Sequence, residues 1–183
     1  VRRCYSMANL PGGVRVDFIA KRYAGRPGSG RLFALPLGAE VPLELPYGDM
    51  FLRAREAPIV LVAGGTGISA MLALTRQLAA GGDGRPVTVF YGARTREELV
   101  CWDELRELVD ALGSAELVGA LAESPEDWPG VTGFVTDALA ERLKGLSDAT
   151  LYVAGPPVMT NATVDLLTAH GVQLTDLHYD AFG

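Results

Sequence analysis

The sequence has 183 residues, of which 49% are hydrophobic and 21% charged, enough apolar material for a buried core, and this excludes disordered, collagenous and low-complexity classes. With 16 Lys plus Arg against 22 Asp plus Glu, the net charge of −6 argues against a general nucleic-acid binder or a binder of anionic membranes. Two cysteines, Cys4 and Cys101, are too few for a plant-type iron–sulfur cluster, which takes four thiolates, and they do not make a disulfide framework.

No charged leader followed by an apolar run is present, nor any apolar stretch of about 20 residues. A cytoplasmic protein without a membrane span is therefore expected. The opening at Val1 reads as mid-strand sequence, so the chain is expected to be part of a longer one.

Residues 14–23 alternate loosely with period two, as a half-buried strand does. Residues 25–30 form a Gly/Pro/Ser turn cluster, and residues 41–45 are a second short alternating strand closed by Pro46-Tyr-Gly. Short strands between turns indicate a barrel or sandwich, but three or four of them cannot close one.

From Pro58 the pattern changes. Residues 59–63 are continuously apolar, as in a parallel strand covered on both faces. Gly64-Gly-Thr-Gly follows, then a helix over about 68–80, a strand over 87–92 and a helix over 97–112 with Leu99, Leu105, Leu108, Val109 and Leu112 at helical spacing. A strand at 117–121, a Pro/Trp/Gly loop at 124–133, a helix at 136–143, a strand at 150–154, a helix at 158–169 and a strand at 174–179 complete the chain. Strands alternating with helices imply a doubly wound parallel sheet.

Gly65-Thr66-Gly67-Ile68-Ser69-Ala70 fits G-x-G-x-x-A between a buried strand and a helix. Glycines there allow close backbone approach to a phosphate, and the free N–H groups of the helix start bind it. A tight strand–helix turn with no ligand is the plainer reading. The acidic residue usual at the end of the second strand is replaced by Arg94. Glu97 and Glu98, close behind, would repel a 2′-phosphate and favour NADH over NADPH, with Arg94 and Arg96 pulling the other way. Gly155-Pro156-Pro157 follows the fourth strand of the α/β pattern and should face the same crevice.

Five segments stand in a telling order: Arg3-Cys-Tyr-Ser-Met-Ala-Asn9, Gly64-Gly-Thr-Gly-Ile68, Tyr91-Gly-Ala-Arg94, Gly155-Pro-Pro-Val-Met159 and Tyr179-Asp-Ala-Phe-Gly183. By these the chain resembles the ferredoxin–NADP⁺ reductase superfamily, most closely the reductase components of bacterial multicomponent oxygenases. The resemblance implies part of an antiparallel FAD-binding β-barrel over residues 1–55 and an NAD(P)H-binding α/β domain over 56–183. It places Arg3 on the FAD pyrophosphate, Tyr5 on the flavin ring and Ser6 near flavin N5. Ile19, Lys21 and Gly30 become further FAD contacts, although the helix that usually follows that glycine turn is not evident. An edge strand with a solvated Arg3 and a core Tyr5 is the alternative for the first motif.

The same resemblance places Gly65, Thr66 and Gly67 on the nucleotide pyrophosphate and nicotinamide, Gly92 and Arg94 near the adenosine half, and Gly155, Pro156 and Met159 over the nicotinamide. Ala154 stands where the family often has cysteine. Asp180 falls at an acidic catalytic position. Phe182 falls where an aromatic covers the flavin, or else plugs a domain edge. No metal site is expected, His170 and His178 being solvated or structural, and Trp102 and Trp128 read as packing residues.

The implied reaction passes hydride from NADH to FAD and then single electrons to an iron–sulfur centre on a ferredoxin domain or protein outside this chain, serving a terminal oxygenase. A cytochrome b5 reductase or flavohaemoglobin-type module, and a nucleotide-binding module without redox turnover, are the competing expectations.

Overall fold

The computed structural model describes residues 2–23, 25 and 27–181. Its centre is a six-stranded parallel sheet in the order β4-β3-β2-β1-β5-β6, formed by β1 (Ile59–Gly64), β2 (Val87–Ala93), β3 (Ala115–Leu121), β4 (Val131–Thr132), β5 (Thr150–Gly155) and β6 (Leu177–Ala181). Helices α2 (Ile68–Gly81) and α3 (Trp102–Leu112) cover one face, and α4 (Val135–Ala140) and α5 (Pro157–Ala169) cover the other.

The apolar runs explain this arrangement. Every residue of β1 and β5 is buried, because Ile59, Leu61 and Ala63 point into the α2/α3 layer and Val60 and Val62 into the α4/α5 layer. Helix α2 stops where Gly82 adopts a left-handed conformation, φ 61°, and its N–H caps the last turn. The chain leaves β1 toward β2, β3 and β4 and later returns to β5 on the opposite side of β1. The direction of winding therefore reverses between β1 and β5, and beyond the carboxyl ends of two such strands is where open α/β sheets form their ligand crevice.

Four expectations are corrected. The partial barrel is not formed: among the described residues of 1–55 no strand occurs, and the only antiparallel pairing is the isolated bridge between Met7 and Phe18. An alternating pattern makes a strand only where a neighbour completes its hydrogen-bond ladder, and Pro36, Pro42 and Pro46 each remove a donor. This segment leaves Leu37, Val41, Leu43, Leu45 and Tyr47 exposed.

Second, the presumed turn at residues 25–30 holds a short helix, α1 (Pro27–Phe33). Proline suits its first position, and the Ser29 hydroxyl accepts the Tyr23 N–H at 3.1 Å. Third, the long helix at 97–112 is a single 3-10 turn over Arg96–Glu98 followed by α3, with Cys101 between them in the left-handed conformation at φ 58°. Fourth, residues 174–176 form a 3-10 turn, so β6 starts three residues late. Asp176 is held there by its N–H to the Gln173 carbonyl at 3.0 Å and by an ion pair with Arg55.

The segment entering β1 is strapped to the domain by arginines. Arg85, paired with Asp83 at 2.6 Å, donates to the carbonyls of Arg53 and Arg55 at 3.1 and 2.7 Å. The Arg53 N–H reaches the Tyr152 hydroxyl at 2.8 Å, and its guanidinium lies 3.2 Å from His178 Nε2. Burial, and then the Arg53 charge, hold the His178 imidazole below its ordinary pKa, against opposing pulls from Asp49 and Asp176.

A depressed histidine disfavours the protonated form in the fold. Its contribution to stability is whole above the ordinary value near 6.5 and is lost as pH falls toward the shifted one. Urea midpoints measured from pH 8 down to 5 are expected to decline through that window and to decline less in H178Q. Parallel slopes in the two proteins would disprove the assignment.

Candidate functional site

Two turns meet at the crevice. The first, Gly65–Gly67, is a 3-10 turn between β1 and α2, with Gly65 at φ 52° and no side chain capping the start of α2. No side chain competes for the N–H groups of this turn, and that of Ile68 is returned to the Gly65 and Thr66 carbonyls. The second, Gly155-Pro156-Pro157, joins β5 to α5, where Pro157 takes the first helical position.

The turns touch through backbone. An added Cβ on Gly67 would overlap the Ala154 carbonyl oxygen and stand 2.9 Å from the Gly155 nitrogen. Only glycine allows that approach, although its φ of −58° is ordinary for any residue. Met159, half-buried at the first turns of α5, lies across both segments: its thioether occupies the space a Cβ on Gly64 would fill, and its methyl would be 3.0 Å from one on Gly155. Beside it, β6 sets Asp180 in register with Ala154, exposed at the edge of the crevice. Phe182 lies outside the described residues.

The far half of the crevice lies beyond β2 and β3. A shallow cleft of about 370 Å³ is lined by Thr95, Arg96, Glu97, Glu123, Ser124 and Pro125. Arg94 stands 3.9 Å from Glu123, and Arg96 stands 3.4 Å from Asp127, all of them exposed. Gly92, expected at the adenosine, has a packing reason to be glycine: a Cβ there would come within 2.7 Å of Val135 Cβ. The tryptophans pack as expected, Trp102 against Trp128 at 5.6 Å between ring centroids and against Tyr91 at 6.4 Å.

The N-terminal motif lies on the α2/α3 side. Ala8 is buried, and its carbonyl accepts Arg76 Nη1 at 2.6 Å. Arg3 crosses the start of α1, where an added Cβ on Gly28 would meet its Nε at 2.8 Å, and its guanidinium donates to the Arg2 carbonyl at 2.8 Å. Tyr5 keeps 37% of its surface exposed, with Phe18 at 6.1 Å, and Ser6 is half-buried. An exposed guanidinium fork, an exposed aromatic face and a glycine cradle suit a flavin dinucleotide. Gly30 is half-buried within α1.

Ile19 and Lys21 are engaged with the α/β domain. The Ile19 N–H donates to the Ser69 hydroxyl at 3.1 Å, and Lys21 pairs with Glu98 at 2.8 Å. That hydrogen bond from Lys21 holds the Glu98 carboxyl below its usual pKa.

Sequence reasoning missed Ser69, Glu98 as a partner of Lys21, and the Tyr91 hydroxyl. The Tyr91 hydroxyl lies 3.4 Å from the carbonyls of Gly65, Glu98 and Val100, and burial pushes its pKa upward. Among the described residues no cluster of three metal-ligating side chains occurs, and no helix is long and apolar enough to cross a membrane.

Comparison with known proteins finds reductases of several kinds. The family described as "Oxidoreductase NAD-binding domain" matches residues 61–165. The reductase component of propane 2-monooxygenase from Mycolicibacterium goodii is 34% identical over 98% of this chain and 54% of its own length. A ferredoxin–NAD(P)(+) reductase from Metapseudomonas resinovorans is 36% identical over 100% of this chain and 56% of its own. The solved structure of the ferredoxin reductase in carbazole 1,9a-dioxygenase superposes with a TM-score of 0.82 at 32% identity, covering 100% of this chain and 56% of that one. The chain thus spans about half the length of the curated relatives it matches.

Proposed function

Because the chain belongs to the oxidoreductase NAD-binding domain family, within the ferredoxin–NADP⁺ reductase superfamily, we propose that it is the nucleotide-binding half of an NADH-dependent flavin reductase that delivers single electrons to an iron–sulfur partner of an oxygenase. The observation that carries this reading is the backbone contact of Gly67 with Ala154, which joins two glycine turns at the reversal point of the sheet.

Each residue then has a task. Gly65, Thr66 and Gly67 present N–H groups to the nucleotide pyrophosphate. Gly92 and Arg94 face the adenosine half, and Gly92 also keeps β2 close to α4. Gly155, Pro156 and Met159 wall the nicotinamide side, and the Met159 thioether keeps water from the junction of the turns. Arg3 offers a bidentate fork to the FAD pyrophosphate, with Gly30 and α1 beneath, while Tyr5 covers the ring and Ser6 hydrogen-bonds its edge. Ile19 and Lys21 line the same side, Asp180 approaches from the C-terminal edge, and Phe182 keeps the flavin-covering role that its place in the sequence implies.

The chemistry FAD supplies when bound is the conversion of a two-electron donor into single electrons. Residues 1–55 then serve the flavin, and residues 56–183 serve NADH. Cys4 and Cys101 are free and exposed, so the [2Fe-2S] centre lies on a ferredoxin domain or protein beyond these residues, with a terminal oxygenase as the final acceptor.

The test is a visible spectrum recorded without oxygen. Protein reconstituted with FAD is expected to retain the flavin bands through gel filtration and to bleach on addition of NADH. Retained flavin that NADH does not bleach would refute hydride transfer, and loss of flavin on the column would refute the cofactor assignment.

A further inference from the structure

The residues assigned to the two cofactors are joined by short paths of contacts, one of which runs from the Tyr5-Ser6 motif to the glycine turn. Met7, next to Ser6, bridges to Phe18, and the Ala8 N–H donates to the Asp17 carbonyl at 2.8 Å. The next residue in that run, Ile19, gives its N–H to Ser69 Oγ at 3.1 Å. Ser69 is 1% exposed, sits in the first turn of α2, and lies two residues past Gly67. The path from the Tyr5-Ser6 motif to the glycine turn therefore crosses a single side-chain hydrogen bond.

Helix α2 supplies a second anchor on the same face. Arg76 follows Ser69 by seven residues, two helical turns, and holds the Ala8 carbonyl while pairing with Glu104. Arg76 grips the segment two turns away from the glycine turn, whereas Ser69 grips it beside the turn. Glu98 completes the seat, pairing with Lys21 at 2.8 Å while accepting the Arg94 N–H at 3.4 Å.

We propose that Ser69 is a positioning residue whose hydroxyl sets the spacing between the flavin motif and the nicotinamide turn. The proposal rests on the reductase reading. Hydride transfer requires donor and acceptor held close and aligned, and a displacement of about 1 Å can cost about a hundredfold in rate. Losing the Ser69 hydroxyl leaves the Ile19 N–H without its partner and frees the segment to move beside the turn, while Arg76 still holds it farther away.

The experiment compares the full chain with its S69A, S69T and R76M variants. In S69A the rate of flavin reduction at saturating NADH is expected to fall about tenfold with KM changed less than about twofold, because orientation is lost while nucleotide binding is kept. S69T keeps the hydroxyl and is expected to recover most of the rate. Amide exchange at Ile19, measured without flavin or nucleotide, is expected to quicken in S69A and to slow again in S69T. R76M is expected to lower the urea midpoint while leaving the reduction rate near that of the unaltered protein.

An S69A protein that reduces flavin at the unaltered rate, or an equal fall in R76M, would overturn the positioning role while the reductase reading stands. Failure of the unaltered protein to be reduced by NADH would overturn both.

Discussion

Replacing Gly67 with alanine is expected to cut NADH-dependent flavin reduction by about a hundredfold or more, the scale on which misplaced reacting groups lose rate. The cause is steric and local. Gly67 has φ −58°, so alanine suffers no backbone strain, but its methyl would overlap the Ala154 carbonyl oxygen. That oxygen belongs to β5, every residue of which is buried, so the strand cannot step aside. The glycine turn must retreat instead, and with it go the N–H groups at the start of α2 and the fit of Met159 over Gly64 and Gly155.

Overpacking of this kind costs about 1–3 kcal/mol of stability, so the variant should still fold and its loss of rate should exceed its loss of stability. Gly81→Ala provides the control. It lies at the other end of the same helix, where an added Cβ meets nothing within 4 Å, and it should leave the rate unchanged while stabilising the helix by up to about 1 kcal/mol. Stopped-flow reduction and urea melts on both variants decide the matter. A G67A protein reduced at the normal rate would show that the contact between the turns does not organise the site.

The sheet was legible because its signals are local. Burial on both faces made residues 59–63 and 150–154 apolar runs, and the glycine turns after them mark where backbone must come close. The elements read wrongly depend on distant partners. Residues 14–23 and 41–45 have a strand pattern, but a pattern cannot show whether a second strand is there to pair with it. The left-handed Cys101 that separates the Arg96–Glu98 turn from α3 is invisible to periodicity, since Leu99 before it is buried just as Leu105 and Val109 after it are. A glycine required by packing and one required by a phosphate look alike in sequence, and the nearness of Val135 to Gly92 is a packing reason that no motif carries. Ser69 and the Lys21–Glu98 pair join residues 50 and 77 positions apart, a separation over which no motif operates.

Turnover with NADH is expected to exceed turnover with NADPH in kcat/KM by about tenfold to a hundredfold, the range that a few charges at 4–8 Å near a protein surface can supply. Arg96 lines the cleft beyond β2 and β3 and Arg94 stands two residues before it, and each already has a carboxylate: Glu123 lies 3.9 Å from Arg94 and Asp127 lies 3.4 Å from Arg96. Glu97 adds a third negative group, and its carboxyl is held below the usual range chiefly by the Thr95 hydroxyl, so it is ionised at neutral pH. A 2′-phosphate would have to displace those acids to reach either guanidinium.

Removing the acids reverses the argument. In the double variant E123Q/D127N both arginines lose their partners, and the preference should narrow by about tenfold, mainly through a lower KM for NADPH. Because the groups are exposed, the change should shrink as salt rises from about 0.05 to 0.5 M, over which the screening length falls from about 14 to about 4 Å. Steady-state kinetics with both nucleotides at two ionic strengths separate the outcomes. Equal use of the two by the unaltered protein would place the 2′-position away from this cleft. An unchanged ratio in the double variant would show that Glu97 alone, or the shape of the loop, sets the choice.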